Sequence, residues 1–116
     1  MAKRVLIVDD HAPFRATARA VLESAGYVVA GEAVDAEGAY AAVAAEAPDV
    51  VLLDVQLPDS DGFSVATALA KRGGPAVVLI SSRAPEDYGA QIGACGARGF
   101  ILKSSLSGVA FAALLE

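Results

Sequence analysis

The stretch VVLLD at residues 50–54 is a run of four apolar residues that ends in an aspartate. Four further short apolar runs recur along the chain, each bounded by Gly, Pro, Asp or Ser. Their apolar character is continuous rather than alternating, which is typical of parallel strands buried on both faces. We therefore predict five strands: Val5–Val8, Tyr27–Ala30, Val50–Leu53, Ala76–Ile80 and Phe100–Leu102.

Helical patterns separate these runs. In the first, apolar residues recur every three or four positions, and Gly26 then provides a typical stop signal. The fourth is interrupted by Gly89 and Gly93, each costing about 1 kcal/mol relative to Ala, so we expect a loose helix there. The predicted N-terminal residues are Pro13 for the first helix, Asp35 as N-cap of the second, Ser60 or Asp61 as N-cap of the third, Pro85 for the fourth and Leu106 for the fifth.

The alternation of strands and helices predicts the architecture. Strand–helix units repeated five times indicate parallel βαβ connections. We predict an α/β fold with a doubly wound five-stranded parallel sheet, flavodoxin-like strand order 2-1-3-4-5 and helices on both faces. The 116 residues fit one domain, and we expect it to span residues 1–116.

Composition narrows the classes of function. The formal net charge of −5 argues against direct binding of nucleic acid by this domain. The apolar runs are too short to cross a membrane, and the first of them is too short for a signal-peptide core. We therefore expect no membrane contact and a cytoplasmic location.

Polar side chains follow four of the five predicted strands. Asp9 and Asp10 follow the first strand, Asp54 ends the third, Ser81 follows the fourth and Lys103 ends the fifth. Because ligands of open α/β sheets bind beyond the carboxyl ends of the strands, we expect these side chains to converge there. Each of them alone is commonly a turn former, a cap or a solvated residue, so the prediction depends on the combination.

The combined set predicts phosphoryl chemistry. Three neighbouring carboxylates repel one another, and a hard divalent cation such as Mg²⁺ relieves that repulsion with oxygen ligands. A lysine ammonium pairs with a carboxylate or a phosphoryl group, and a serine hydroxyl bonds a phosphoryl oxygen. Catalysis of phosphoryl transfer consists mostly of positioning and charge neutralisation, which these groups supply.

Four stretches resemble the receiver family of response regulators. They are VLIVDDH at residues 5–11, VLLDVQLPDSDG at 51–62, VLISS at 78–82 and GARGFILK at 96–103. The resemblance spans essentially the whole chain without a large insertion. The acidic pair alone is a weak signal, whereas the second and fourth stretches are specific in combination.

The resemblance implies a role for each matching residue of the acidic site. Asp54 would accept a phosphoryl group from a sensor histidine kinase or phosphotransfer protein, forming an acyl phosphate. Asp10 would bind Mg²⁺ directly, Asp9 would bind it through water, and Gln56 would offer its backbone carbonyl. Lys103 would pair with the phosphoryl oxygens.

The resemblance also implies a switch. Ser81 would move to bond the phosphoryl group, and Phe100, which stands where the family often has Tyr, would turn inward as a purely steric switch. Gln56 and Arg83 stand at positions that tune loss of the phosphoryl group, and Arg83 could also block the attacking water or pair with Glu86. Phosphorylation adds roughly −1.5 to −2 charges, enough to bias a two-state loop.

The expected output is a changed surface on the fourth helix, fifth strand and fifth helix, which would control an output domain or a partner. The sequence is similar to the subgroup of receivers that control a helix-turn-helix DNA-binding domain, although no such output domain occurs within these residues. A homodimer formed on phosphorylation is common in the family. We expect only self-phosphorylation and self-dephosphorylation, not an enzyme with a separate substrate.

Three alternatives stay open at this point. A phosphohydrolase of the haloacid-dehalogenase type also uses an aspartate after a strand, but it needs a second acid where Gln56 stands. A nucleotide- or flavin-binding domain lacks support because neither a Gly-x-Gly-x-x-Gly nor a P-loop motif occurs. A receiver-like fold could also bind partners without being phosphorylated.

Overall fold

A five-stranded parallel sheet forms the centre of the protein in the computed structural model, which describes residues 2–116. The strand order is β2-β1-β3-β4-β5, and every neighbouring pair is parallel. The predicted fold class and strand order are therefore confirmed. The strands are β1 Arg4–Val8, β2 Val28–Ala33, β3 Val50–Asp54, β4 Ala76–Ser81 and β5 Gly99–Leu102.

The three central strands are buried on both faces, as their continuous apolar runs predict. Successive side chains of a strand point to opposite faces, so each run contributes to two apolar clusters. In β1, Leu6 and Val8 belong to one cluster, while Val5 and Ile7 belong to the other. This two-sided burial fixes where the carboxyl ends of β1, β3 and β4 meet.

Helices cover both faces of the sheet. Helices α1 and α5 pack on one cluster, and α2, α3 and the short α4 pack on the other. Within residues 2–116, no helix has the length and apolar character needed to span a bilayer. The bounds are α1 Ala12–Ser24, α2 Ala36–Glu46, α3 Gly62–Lys71, α4 Gln91–Ala94 and α5 Gly108–Leu115.

Side-chain caps fix three of the helix starts. Asp35 accepts the Gly38 N–H at 2.7 Å and Asp61 accepts the Ser64 N–H at 2.8 Å, which confirms both N-cap predictions. Ser107 caps α5 in the same way, accepting the Ala110 N–H at 3.0 Å. Helix α5 consequently begins at Gly108, two residues later than the predicted start at Leu106.

The fourth helix, predicted to begin at Pro85, is divided into two short pieces. A single 3₁₀ turn covers Pro85–Asp87, and α4 covers only Gln91–Ala94. Between them Gly89 has a φ of +60°, which right-handed helix cannot accommodate. The expected interruption at Gly89 is confirmed, whereas Gly93 lies within α4.

The loop from β3 to α3 is hydrogen-bonded to the start of α2. Asp59 accepts the backbone N–H groups of Ala36 at 2.8 Å and Glu37 at 3.1 Å, the first two residues of α2. These two bonds hold the pKa of Asp59 below its usual value. The loop that follows Asp54 is thereby anchored on a second element.

Glycine at residue 62 lets α3 start against the end of β3. A Cβ on Gly62 would lie 2.5 Å from the Asp54 carbonyl oxygen and 2.8 Å from Val55 Cα. Both of these neighbours are backbone atoms, so they cannot rotate away. The glycine of the DG pair is therefore required by the close approach of backbone to backbone.

Gly62→Ala should lower the free energy of unfolding by roughly 1–3 kcal/mol, because the added methyl displaces the backbone beside Asp54. The matched control is Gly93→Ala, since a Cβ there meets open space. That control should raise the free energy of unfolding by up to about 1 kcal/mol through helix propensity. Urea unfolding followed by circular dichroism measures both, and equal effects of the two changes would contradict this account of Gly62.

Candidate functional site

Three carboxylates meet at the carboxyl edge of the sheet. Asp9 and Asp10 follow β1, and Asp54 ends the adjacent β3. One oxygen of each residue lies within 4.8 Å of the corresponding oxygens of the other two. Asp9 and Asp54 are buried, at 0% and 4% exposure, while Asp10 is exposed. The structure thus brings the three predicted acids together and leaves one of them open to solvent.

Asp9 is held in a fixed position. Its Oδ1 accepts the His11 N–H at 2.8 Å, and its backbone carbonyl accepts a hydrogen bond from the Arg15 guanidinium at 2.7 Å. Its Oδ2 lies 2.6 Å from Lys103 Nζ. Asp9 Oδ1 is therefore hydrogen-bonded, whereas the buried Oδ2 forms an ion pair with Lys103 but accepts no hydrogen bond of good geometry among the described residues.

Lys103 lies between the two buried acids. Its Nζ is 3.4 Å from Asp54 Oδ2 and 4.7 Å from the centre of the Phe14 ring. Burial lowers the pKa of Lys103, but the close contact with Asp9 and the charges of Asp54 and Asp9 outweigh burial and raise that pKa above its usual value. Lys103 is therefore cationic, and in this structure its nearer partner is Asp9 rather than Asp54.

Asp54 carries a perturbed carboxyl group. Burial and the nearby charge of Asp9 raise its pKa to about 6, against the opposing effects of the Gln56 N–H and of Lys103. The Gln56 N–H lies 3.2 Å from Asp54 Oδ1. Three carboxylates facing one ammonium leave excess negative charge, and their oxygens are ligands suited to a hard cation such as Mg²⁺. The acidic cluster could hold such a metal ion.

Ser81 ends β4 and is 1% exposed. Its hydroxyl lies 2.6 Å from the Tyr88 hydroxyl and accepts the Arg83 N–H at 3.0 Å. The predicted switch serine thus ends the strand next to β3, which itself ends at Asp54. Its hydroxyl, however, is hydrogen-bonded to Arg83 and Tyr88.

The other predicted residues lie around this edge. Phe100 is half-buried in β5, and its ring centre is 6.0 Å from that of Tyr88. Gln56 and Arg83 are exposed on loops. The suggested pairing of Arg83 with Glu86 is wrong, because Arg83 Nε lies 3.8 Å from an Asp87 carboxylate oxygen across the 3₁₀ turn.

Sequence reasoning missed Tyr88. Its hydroxyl contacts Ser81, and its ring contacts Phe63 and Phe100. No sequence pattern marks it, because the contact depends on how the 3₁₀ turn and Gly89 direct the backbone. It also missed Phe14 as the ring beside the Lys103 ammonium.

Comparison with known proteins agrees with the fold. The family model of the response regulator receiver domain matches residues 5–113. The chain is 40% identical over 104 residues to the probable transcriptional regulatory protein NarL of Mycobacterium tuberculosis, covering 88% of this chain and 48% of that protein. It is 39% identical over 107 residues to a gliding motility regulatory protein of Myxococcus xanthus, covering 89% of this chain and 14% of that protein.

Solved structures give the same result. The signal receiver domain of NarL from Mycobacterium tuberculosis matches with a TM-score of 0.88 at 38% identity, covering 98% of this chain and 94% of that one. Fold and sequence together define a signalling domain of two-component systems. The chain belongs to the receiver-domain family of response regulators. It spans less than half the length of the two curated relatives described above.

Asp54→Asn should raise the free energy of unfolding by about 1–2 kcal/mol near pH 7.5 in EDTA, because burial disfavours the ionised carboxylate. The pKa of about 6 in the folded protein lies above the ordinary 3.8, so the carboxylate costs nothing below both values. The cost grows as the pH rises between them and is complete above the folded pKa. The gain should therefore vanish near pH 4.

Urea unfolding at both pH values measures this difference. Asp87→Asn is the control, since Asp87 is a half-exposed carboxylate outside the acidic site. It should give no gain that grows with pH. A gain for Asp54→Asn that is equal at both pH values would show that ionisation is not its cause.

Proposed function

We propose that Asp54 accepts a phosphoryl group from the phosphohistidine of a sensor kinase or phosphotransfer protein. The observation that carries this proposal is the buried Asp54 carboxylate lying 3.4 Å from the Lys103 ammonium within a cluster of three acids. The lysine supplies positive charge where phosphoryl oxygens would lie. Family membership supports the choice of a histidine kinase as the donor.

The transfer is a displacement at phosphorus. A carboxylate oxygen of Asp54 attacks the phosphorus atom, and the P–N bond of phosphohistidine breaks with its electron pair remaining on nitrogen. The products are an acyl phosphate on Asp54 and a free histidine, and no oxidant or reductant is involved. Lys103 neutralises charge on the transferred group.

The acidic residues would hold Mg²⁺ in different ways. Asp10 is exposed and would bind the ion directly, together with Asp54 and the backbone carbonyl of Gln56. Asp9 is buried, and its Oδ2 accepts no hydrogen bond among the described residues, which suits contact with the ion through water. When bound, Mg²⁺ neutralises charge between the carboxylates and the phosphoryl oxygens.

The switch residues would respond to the new charge. Ser81 would donate its hydroxyl proton to a phosphoryl oxygen, and Phe100 would move toward the space that Ser81 leaves. Gln56 and Arg83, both exposed on loops beside the site, would tune hydrolysis of the acyl phosphate. The changed surface would comprise α4, β5 and α5.

At the level of the whole protein, residues 1–116 would act as a receiver without a separate substrate, controlling an output domain or a partner. The relative NarL is named as a transcriptional regulatory protein, which supports control of transcription as one output. The net charge of −5 supports an indirect role, with no nucleic acid bound by this domain. Dimerisation on phosphorylation and a cytoplasmic location complete the proposal.

Incubation with Mg²⁺ and acetyl phosphate should add one phosphate to the native chain, because acetyl phosphate replaces phosphohistidine as the donor. Asp54→Asn should abolish the addition, while Asp49→Asn, at the opposite edge of the sheet, should leave it unchanged. Intact-mass spectrometry measures all three. A folded native chain that gains no phosphate would turn the assignment toward a receiver-like module that acts by binding alone.

Removing a direct ligand should weaken the use of Mg²⁺. Asp10→Asn should raise the Mg²⁺ concentration for half-maximal phosphorylation at least about tenfold, and EDTA should abolish phosphorylation of the native chain. Glu23→Gln, which removes one exposed charge on α1, is the matched control and should change little. An unchanged Mg²⁺ requirement in Asp10→Asn would remove Asp10 from the ligand set.

A further inference from the structure

The Tyr88 side chain joins Ser81 to the segment that precedes α4. Its hydroxyl lies 2.6 Å from Ser81 Oγ. Its ring is half-buried and contacts the Phe63 ring at 5.4 Å and the Phe100 ring at 6.0 Å between centres. One residue therefore touches the end of β4, the start of α3 and the middle of β5.

We propose that Tyr88 is a latch that holds Ser81 in its resting position, and that phosphorylation of Asp54 releases it. The proposal rests on the proposed function, since it requires Ser81 to bond the phosphoryl group. Phe100 has no hydroxyl, and in this proposal the Tyr88 hydroxyl provides the hydrogen bond that responds to Ser81. The signal would then pass from Ser81 through Tyr88 to residues 85–95.

The first step is the resting position of the Ser81 hydroxyl, which contacts with Arg83 and Tyr88 determine. Ser81 is buried, and one lone pair of its oxygen already accepts the Arg83 N–H at 3.0 Å. Either hydroxyl can donate in the Ser81–Tyr88 bond, and in both cases the two oxygens lie 2.6 Å apart. To bond a phosphoryl oxygen on Asp54, Ser81 Oγ would turn away from Tyr88, so the bond to Tyr88 opposes that movement.

The second step is the irregular backbone on which Tyr88 stands. Tyr88 lies between the 3₁₀ turn Pro85–Asp87 and Gly89, whose φ is +60°. Its own N–H donates to the Pro85 carbonyl at 3.1 Å, and its carbonyl accepts only a long bond, from the Gln91 N–H at 3.4 Å. Without the bond to Ser81, the Tyr88 hydroxyl would need another partner, and solvent is the nearest source once the ring turns outward.

The third step concerns Phe100. The Tyr88 ring packs on Phe100 at an interplanar angle of 52°, so movement of Tyr88 changes the space available to Phe100. Steric movement of Phe100 would therefore follow release of Tyr88. Tyr88 would therefore respond to Ser81 through its hydroxyl, and Phe100 would respond to Tyr88 through ring packing.

Tyr88→Phe tests the latch, because it keeps the ring and removes only the hydroxyl. The resting state loses one hydrogen bond, so phosphorylation by acetyl phosphate should be about fivefold faster, and affinity for beryllofluoride, a phosphoryl mimic, should rise by a similar factor. Tyr27→Phe is the matched control, since the Tyr27 ring packs on Phe111 in the other apolar cluster. It should behave as the native chain.

A second measurement separates a latch from a packing role. With 3-fluorotyrosine incorporated, the fluorine resonance of Tyr88 should shift on addition of beryllofluoride and Mg²⁺, while those of Tyr27 and Tyr40 should stay in place. Ser81→Ala should shift the Tyr88 resonance without any ligand, because it removes the partner. Tyr88→Phe assigns the resonance by deleting it.

The outcomes are distinct. If the native chain is phosphorylated on Asp54 but Tyr88→Phe reacts at the native rate or more slowly, the latch is wrong and the proposed function stands. An unmoved Tyr88 resonance in the presence of saturating beryllofluoride leads to the same conclusion. If the native chain takes up no phosphate and Asp54→Asn is indistinguishable from it, both proposals fall.

Discussion

The ion pairs of Lys103 with Asp9 and Asp54 are the interaction on which the site depends. The parallel sheet places both carboxylates at one edge and buries them, and burying a charge without a partner is costly. Lys103, directly after β5, offsets this cost because its Nζ lies 2.6 Å from Asp9 Oδ2 and 3.4 Å from Asp54 Oδ2. Lys103 offsets only part of the negative charge, which suits the cluster to a cation. Burial and, after it, the charge of Asp9 keep the pKa of Asp54 raised.

The sheet order and the grouping of the acids could be predicted from sequence because both follow from local rules. Continuous apolar runs indicate buried parallel strands, and parallel strands bring their carboxyl ends to one edge. Strand β2 was less well predicted: it extends to Ala33 because pairing with β1 overrides the low strand propensity of Gly31 and Glu32.

The contacts around Tyr88 and Arg83 could not be predicted, because they depend on the backbone of an irregular segment. The sequence predicts the interruption at Gly89, but the direction of the Tyr88 ring depends on the positive φ that Gly89 adopts. The choice of Asp87 over Glu86 as the partner of Arg83 likewise depends on which side of a 3₁₀ turn each carboxylate occupies. Sequence spacing specifies neither.

The bonds from Asp59 to the first residues of α2 have a consequence for cooperativity. A seven-residue loop with exposed polar residues ordinarily opens on its own, with little protection of its amides. Here the loop cannot open without exposing two N–H groups of α2, so loop and helix start belong to one opening unit. The backbone next to Asp54 therefore opens together with the start of α2 and not as an independent loop.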